Sequence, residues 1–398
     1  MPYQSLGECL KDMFITEAEI IDRYVGNQLW GWGTNSSGQI GDGTAVDRSS
    51  PVQTVSGGTN WKQVSVSSSH RAAIKTDGTL WLWGCGSSGA LGTNSTTHRS
   101  SPVQTVSGGT DWRVVAVAGT ASSDANNHTI AIKTDGTLWS WGEASAGQMG
   151  NNSVVDRSSP VQTISAGNNW KEISAALCRS AAIKTDGTLW LWGNNLGGPI
   201  GDNSITARSS PVQTVSGGTN WKQVSLGQCH TGAIKTDGTL WMWGDNTSGI
   251  LADNSVVNKS SPVQTVSGGT NWKNVGLGTC FSAAIKTDGT LWLWGTGNNG
   301  AMGNNSSVDR SSPVQTVSGG TNWKQIGLNS ADCSSISAIK TDGTLWSWGA
   351  NDTGSIGNNT ASTIRYSSPV QTISGGTNWK QVARGGRGNA GAITYTES

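Results

Sequence analysis

The sequence predicts an all-β protein: seven four-stranded blades closed into a ring, preceded by a short α-helical leader. Three observations carry that reading. Gly supplies 56 of 398 residues and charged residues only 13%, where a globular chain ordinarily carries about 25% charge. This composition suits many short strands joined by tight turns. Trp occurs 21 times against 2 Phe and 4 Tyr, a bias that one copied motif produces and a mixed aromatic core does not. The copies follow a basic period of 51 residues, as from Trp190 to Trp241, in the range of solenoids, propellers and arrays.

The leader spans residues 1–28. It holds two capping boxes, Ser5 with Glu8 and Thr16 with Glu19, each a helix-start signature. Leu6, Leu10 and Met13 or Phe14 keep helical spacing, as do Ala18, Ile21 and Val25, with Ile20 and Tyr24 beside them. Two helices this short are marginal in water, so Leu10, Phe14, Ile21, Tyr24 and Val25 are expected to dock on something.

From Leu29 onward three motifs alternate. Leu-Trp-x-Trp-Gly occurs seven times, with first Trp at Trp30, Trp81, Trp139, Trp190, Trp241, Trp292 and Trp346. Ser-Ser-Pro-Val-Gln-Thr also occurs seven times, and a third Trp followed by Lys or Arg stands at Trp61, Trp112, Trp170, Trp221, Trp272, Trp323 and Trp379. Within a unit, Trp61 to Ser67 alternates as a strand and Arg71 to Lys75 forms a second. Thr76-Asp77-Gly78 is a hairpin turn. Leu80 to Trp83 is the third strand, with its two Trp on one face. Pro102 opens the fourth, a place where Pro is tolerated. Four antiparallel strands repeated seven times make a seven-bladed β-propeller.

The chain ends close the ring. Residues 392–398 fill the slot that precedes Leu-Trp in every other unit, and the missing Leu-Trp stands at Leu29-Trp30. Leu29, Trp30 and Trp32 are therefore expected to pair with the segment carrying Ile393 and Tyr395, in a blade shared by both ends of a 29–398 domain.

A net charge of +1 provides no overall field toward nucleic acid or an acidic membrane. No apolar run approaches the length of a spanning helix, and the N-terminus lacks a secretory signal. His70, His128 and His230 share one repeat slot on separate blades, so they are not expected to converge on a metal. Cys178, Cys229 and Cys280 are read as small buried thiols. The Trp are read as packing, and the lysines before each turn as a surface balanced by the turn Asp. No nucleophile meets a base, so neither an enzyme nor a cofactor is expected. In a rigid repeat scaffold, binding belongs to the irregular loops. These are the insertion within 119–127 (Ser123, Asp124, Asn126), an extension near 329–334, residues 360–366 (Arg365, Tyr366), and Arg384 with Arg387.

Trp32-Gly33-Thr34-Asn35-Ser36-Ser37-Gly38-Gln39-Ile40-Gly41-Asp42-Gly43 resembles the signature of the regulator of chromosome condensation repeat family, and Gly227 to Ile234 resembles its second signature. The resemblance runs through all seven units and implies a seven-bladed propeller. Members of that family catalyse nucleotide exchange on a small GTPase and bind chromatin, inhibit β-lactamases, or serve as interaction modules. The chain lacks a basic N-terminal tail, and its units diverge little. Near-identical units behind a short leader look like phage repeat proteins. The expectation is a non-enzymatic interaction propeller on a virion surface, in head or tail. It would be made in the host cytoplasm and held to other virion proteins by residues 1–28. The alternatives are a cytoplasmic location, a carbohydrate-binding propeller that contacts host glycan or protein, and an inhibitor or regulator of another enzyme.

Overall fold

The computed structural model describes residues 24–397, except 56–57, 121–126, 165–166, 217, 267–268, 318–319, 329, 331–333, 362, 374–375 and 387. The chain enters through β1 (Tyr24–Gly33) and β2 (Arg48–Gln53). Blade 1 is β3 (Trp61–Val66), β4 (His70–Lys75), β5 (Leu80–Gly84) and β6 (Arg99–Gln104). Blade 2 is β7 (Trp112–Ala118), β8 (His128–Lys133), β9 (Leu138–Gly142) and β10 (Arg157–Gln162). Blade 3 is β11 (Trp170–Ala176), β12 (Arg179–Lys184), β13 (Leu189–Gly193) and β14 (Arg208–Gln213). Blade 4 is β15 (Trp221–Leu226), β16 (His230–Lys235), β17 (Leu240–Gly244) and β18 (Lys259–Gln264). Blade 5 is β19 (Trp272–Leu277), β20 (Phe281–Lys286), β21 (Leu291–Gly295) and β22 (Arg310–Gln315). Blade 6 is β23 (Trp323–Gly327), β24 (Ser335–Lys340), β25 (Leu345–Ala350) and β26 (Arg365–Gln371). Then come β27 (Trp379–Arg384) and β28 (Ala390–Glu397). Each blade is a four-stranded antiparallel sheet, and blade 7 has the order β2-β1-β28-β27. Both ends of the chain thus build one blade. Leu29 lies opposite Ile393, Trp30 opposite Ala392, Trp32 opposite Ala390 and Asn27 opposite Tyr395.

The strand β1 starts five residues before the boundary drawn at Leu29. Tyr24 pairs in register with Glu397, so Tyr24 and Val25 belong to a strand rather than to a helix. The reason is the partner: β28 extends past the blade and offers backbone hydrogen bonds that outweigh the local helical spacing. Leu10, Phe14 and Ile21 lie outside the described residues.

Sequence alternation dictates the packing. Ala72, Ile74, Leu80 and Leu82 on one face of blade 1 form a single cluster with Trp112, Val115, Val117 and Trp141 of blade 2. The third Trp of a unit meets the motif Trp edge-on, with Trp112 at 6.4 Å from Trp139 and 6.0 Å from Trp141, the arrangement aromatic quadrupoles favour. The buried motif indole also donates across the border. Trp83 Nε1 gives a 2.9 Å bond to Gln39 O of the preceding blade, and Trp141 Nε1 a 2.9 Å bond to Ala90 O.

Innermost strands are stitched sideways. Gln63 Nε2 donates to Val115 O at 3.0 Å and Gln63 Oε1 accepts from Val115 N at 3.1 Å. Gln381 does the same to Val64. At the Asp-Gly turns, Asp77 Oδ1 accepts from Thr79 N at 2.9 Å and from its hydroxyl at 2.7 Å, and Gly78 takes φ +80, where a Cβ is strained.

Candidate interaction surface

Strand order sorts the loops. The first-to-second strand loops and the starts of the third-to-fourth loops lie at one end of the blades; Cys85 N, for example, bonds Ser69 O at 2.9 Å. The Asp-Gly turns and the blade-to-blade connectors lie at the other, where Trp112 N bonds Gly78 O at 3.1 Å. The insertions within 119–127 and near 329–334 fall between first and second strands, and residues 360–366 lead into β26, whose Arg365 lies opposite Ala350 at the same end. The loop end is therefore variable and the turn end uniform. Tyr24 and Glu397 reach the turn end, in the place of an Asp-Gly hairpin.

Around the axis the variable loops brace each other. Ser69 Oγ donates to Asn127 Oδ1 at 2.7 Å, Thr279 Oγ1 to Ser330 O at 2.7 Å, and Asn389 Nδ2 to Ser68 O at 2.8 Å. Beneath them runs a belt of one residue per blade. His70 Nε2 lies 3.2 Å from Thr129 Oγ1, His128 Nε2 3.1 Å from Ser180 Oγ, and His230 Nε2 3.1 Å from Ser282 Oγ. Arg179 fills the same slot and donates from Nη2 to Gly227 O and Gln228 O, both at 2.7 Å. Burial pushes the His70 and His230 imidazoles down to about 3, helped by His128 and Arg179 respectively. At His70 and His230 the slot is therefore a neutral bracket between blades at physiological pH, while Arg179 brings a guanidinium to it. Among the described residues no three His, Cys, Asp or Glu come together as a metal site.

The irregular residues divide. Arg365 is exposed and donates from Nη1 to Asp352 Oδ1 at 2.7 Å and from Nε to Asn299 Oδ1 at 3.0 Å, tying blade 6 to blade 5. Tyr366 packs against the core, its hydroxyl accepting from Asn358 Nδ2 at 2.8 Å. Ser123, Asp124, Asn126 and Arg387 lie outside the described residues. Arg384 is not a surface contact. It is fully buried, donating from Nη1 to Ser337 Oγ at 2.9 Å and Ser355 O at 3.1 Å, and from Nη2 to Ser335 Oγ. It stands at the end of β27, where blade 1 has Val66. Position in a strand, rather than charge, sets its burial.

Two other expectations change. The turn lysines do not pair with the turn Asp. Lys75 Nζ lies 4.9 Å from the Trp61 ring and 4.5 Å from Trp81, and Lys235 lies 4.8 and 4.2 Å from Trp221 and Trp241. Each ammonium rests between two indoles, a favourable cation–π site, while the Asp caps its own turn. Cys280 is disulfide-bonded, whereas Cys178 and Cys229 are thiols on neighbouring variable loops. Burial first, then Glu143, pushes the Cys178 thiol up to about 11, so it is a poor nucleophile at neutral pH. Near Cys178 and Cys229, Leu196 is 77% exposed beside a cavity of about 150 Å³.

The sequence and fold have known counterparts. A family model for the RCC1-like domain matches residues 25–335. The human E3 ubiquitin-protein ligase HERC2 is 27% identical over 385 residues, which cover 93% of this chain but 8% of HERC2. The Ultraviolet-B receptor UVR8 of Arabidopsis thaliana is 28% identical over 72% of this chain and 65% of its own length. Among solved structures, Prp20p from Saccharomyces cerevisiae superposes with a TM-score of 0.78 at 17% identity, covering 96% of this chain and 95% of its own. Human WBSCR16 gives 0.77 at 18% identity, covering 93% and 99%. Seven complete blades, the shared closing blade and the match over most of its length together make this chain a member of the RCC1-like domain family.

Proposed function

We propose that this propeller is a non-enzymatic structural and interaction protein, held to a larger assembly at its turn end and open for contact at its variable end. One observation carries the reading: the irregular loops lie at one end of the blades, and Tyr24 and Glu397 reach the other. The leader joins the propeller at Tyr24, at the end opposite the variable loops. The assembly proposed is a phage virion, with the protein made in the host cytoplasm and bound through residues 1–28 to another virion protein. The near-identity of the units supports that choice.

A sugar-binding role finds less support, because the half-buried motif indoles, such as Trp81 and Trp241, are already covered by Lys75 and Lys235. Regulation of another protein draws support from the family. Prp20p was characterised for its binding to Gsp1p and histones, and UVR8 is a receptor.

Removing residues 1–23 tests the anchor. The shortened protein is expected to keep its β-type circular dichroism and its melting temperature yet fail to enter the assembly. Normal incorporation, or a leader found packed on its own blades, overturns the proposal. Purified protein is expected to show neither hydrolase turnover nor nucleotide exchange on a small GTPase above blank.

A further inference from the structure

The seven innermost strands β3, β7, β11, β15, β19, β23 and β27 touch one another in a closed circle. Together with the loops that follow them they line one axial cavity of about 200 Å³, reached by Val66, Val117, Ala175, Leu226, Leu277 and Arg384. The second residue of every one of these strands is a cation: Lys62, Arg113, Lys171, Lys222, Lys273, Lys324 and Lys380. Second position means the turn end of the strand, so the seven charges encircle the axis at the end opposite the variable loops.

Five of the seven are exposed and two half-buried, and among the described residues no carboxylate pairs with any of them. Lys380 Nζ lies 5.2 Å from the Tyr395 ring, whereas every turn lysine of blades 1 to 6 rests between two indoles, as Lys75 and Lys235 do. The position before the Trp could carry a neutralising acid but does so once. Asp111 stands there and pairs with Lys133 at 3.2 Å; the other six units have Asn60, Asn169, Asn220, Asn271, Asn322 and Asn378. Glu172 lies beside Lys171 but is turned to the border, where it accepts from Val224 N at 3.1 Å.

The heads are close enough to feel one another. Burial, then the charges of Lys324 and Lys62, hold the Lys380 ammonium below its usual range. Arg113 shows the lateral reach of the slot: its Nη2 donates to Trp170 O of the next innermost strand at 2.8 Å. Seven like charges in a circle repel, and the chain as a whole is nearly neutral at +1. Charge is thus concentrated at one mouth, and a multivalent anion on the axis would meet all seven donors at once.

We propose that the turn-end mouth of the axial channel is a binding site for a compact polyanion bearing several phosphate-type groups. Six of the seven donors are lysines, flexible point charges that can turn toward phosphate oxygens in any orientation. A single phosphate can engage only part of the circle, so affinity depends on clustered charge.

Calorimetry on the full-length protein at physiological salt tests this, with inorganic tripolyphosphate, inositol hexakisphosphate and orthophosphate as probes. The two polyanions are expected to bind one per chain and orthophosphate at least a hundred-fold more weakly. The triple variant Lys222→Gln, Lys273→Gln, Lys324→Gln should weaken polyanion binding about thirty-fold, at a factor of about three per exposed charge. Arg157→Gln with Arg310→Gln, which removes exposed cations from outer strands, should leave it unchanged. Equal binding by the ring variant, loss in the outer-strand variant, or no binding up to about 1 mM overturns the proposal. Displacement of tripolyphosphate by a synthetic peptide of residues 1–23 would also overturn it, by giving the mouth to the chain's own acidic leader.

Discussion

Five of the seven blade borders differ from the two that flank the closing blade. At the five, repeat residues meet: Leu and Ala of one blade against Trp and Val of the next, with the hydroxyl of Thr129, Ser180, Thr231 or Ser282 bonding the preceding loop carbonyl at four of them. At the two, a buried arginine enters from outside the belt slot, the slot through which Arg179 bridges blades 3 and 4. Arg384 enters the border of blades 6 and 7 among Ser335, Ser337 and Ser355. Arg71 enters the border of blades 7 and 1, in the slot that holds Thr129 in blade 2. Opposite Arg71, blade 7 has Gly31 and Gly391, where blade 1 has Leu82 and Ala72. A Cβ on Gly31 would run into Nη1 of Arg71. Near-identical blades could stack in many registers; a border with one bulky cation and two glycines admits one neighbour. The difference teaches that the repeat supplies stability, and its exceptions specify where the ring shuts.

The largest effect should come from removing the closing strand. Deletion of residues 389–398 leaves β1 without β28 and opens an edge. No cooperative thermal transition is expected, and a melting temperature equal to the parent's would show that the shared blade is dispensable. Next is Gly31→Leu, which writes the residue of blade 1 into blade 7. Overpacking against Arg71 should cost about 3 kcal/mol, read as a lower urea midpoint. Adding Arg71→Thr should restore most of it. A double-mutant cycle with no coupling would mean that the arginine and the glycine do not form a matched pair.

Arg384→Val copies Val66 of blade 1 into the other arginine border. It removes the bonds to Ser335, Ser337 and Ser355, with an expected loss of about 2 kcal/mol. An unchanged midpoint would show that the serines are as well satisfied without it. This residue also marks the limit of sequence reading. The blades, the turns and the shared closing blade were legible because period and alternation fix them. Arg384 was read as a loop contact because the glycines beside it look like a turn; its register at the end of β27 buries it. Arg71 gave no signal, since its reason lies in Gly31 and Gly391, far away in sequence. The indole seats of the turn lysines were hidden for the same reason: Lys75 and Asp77 are neighbours in the chain, but the rings of Trp61 and Trp81 arrive from two other strands.

The smallest effect belongs to an ordinary border, and it is stabilising. Gln63, Gln223 and Gln381 each stitch their strand to the next with one amide that both donates and accepts. Glu172 holds that slot in blade 3. Its Oε1 accepts from Val224 N at 3.1 Å, but an ionised carboxylate has no hydrogen for the donor half of the stitch. Burial raises its carboxyl to about 7, opposed by the Val224 bond and by Lys171 and Lys222. With a folded value above the unfolded one, the native state holds a proton that the unfolded state has released. Stability is then full below about 4.5, falls as the pH rises, and is lowest above about 7. The histidine belt has the opposite sign: His70 and His230, depressed to about 3, lose their contribution as the pH falls below about 6.5. Glu172→Gln supplies the missing donor. It should raise stability at pH 8 by about 1 kcal/mol, less than the full linkage value because the side chain is incompletely buried, and change little at pH 4.5. A gain of equal size at both pH values would mean that protonation of Glu172 plays no part in the border.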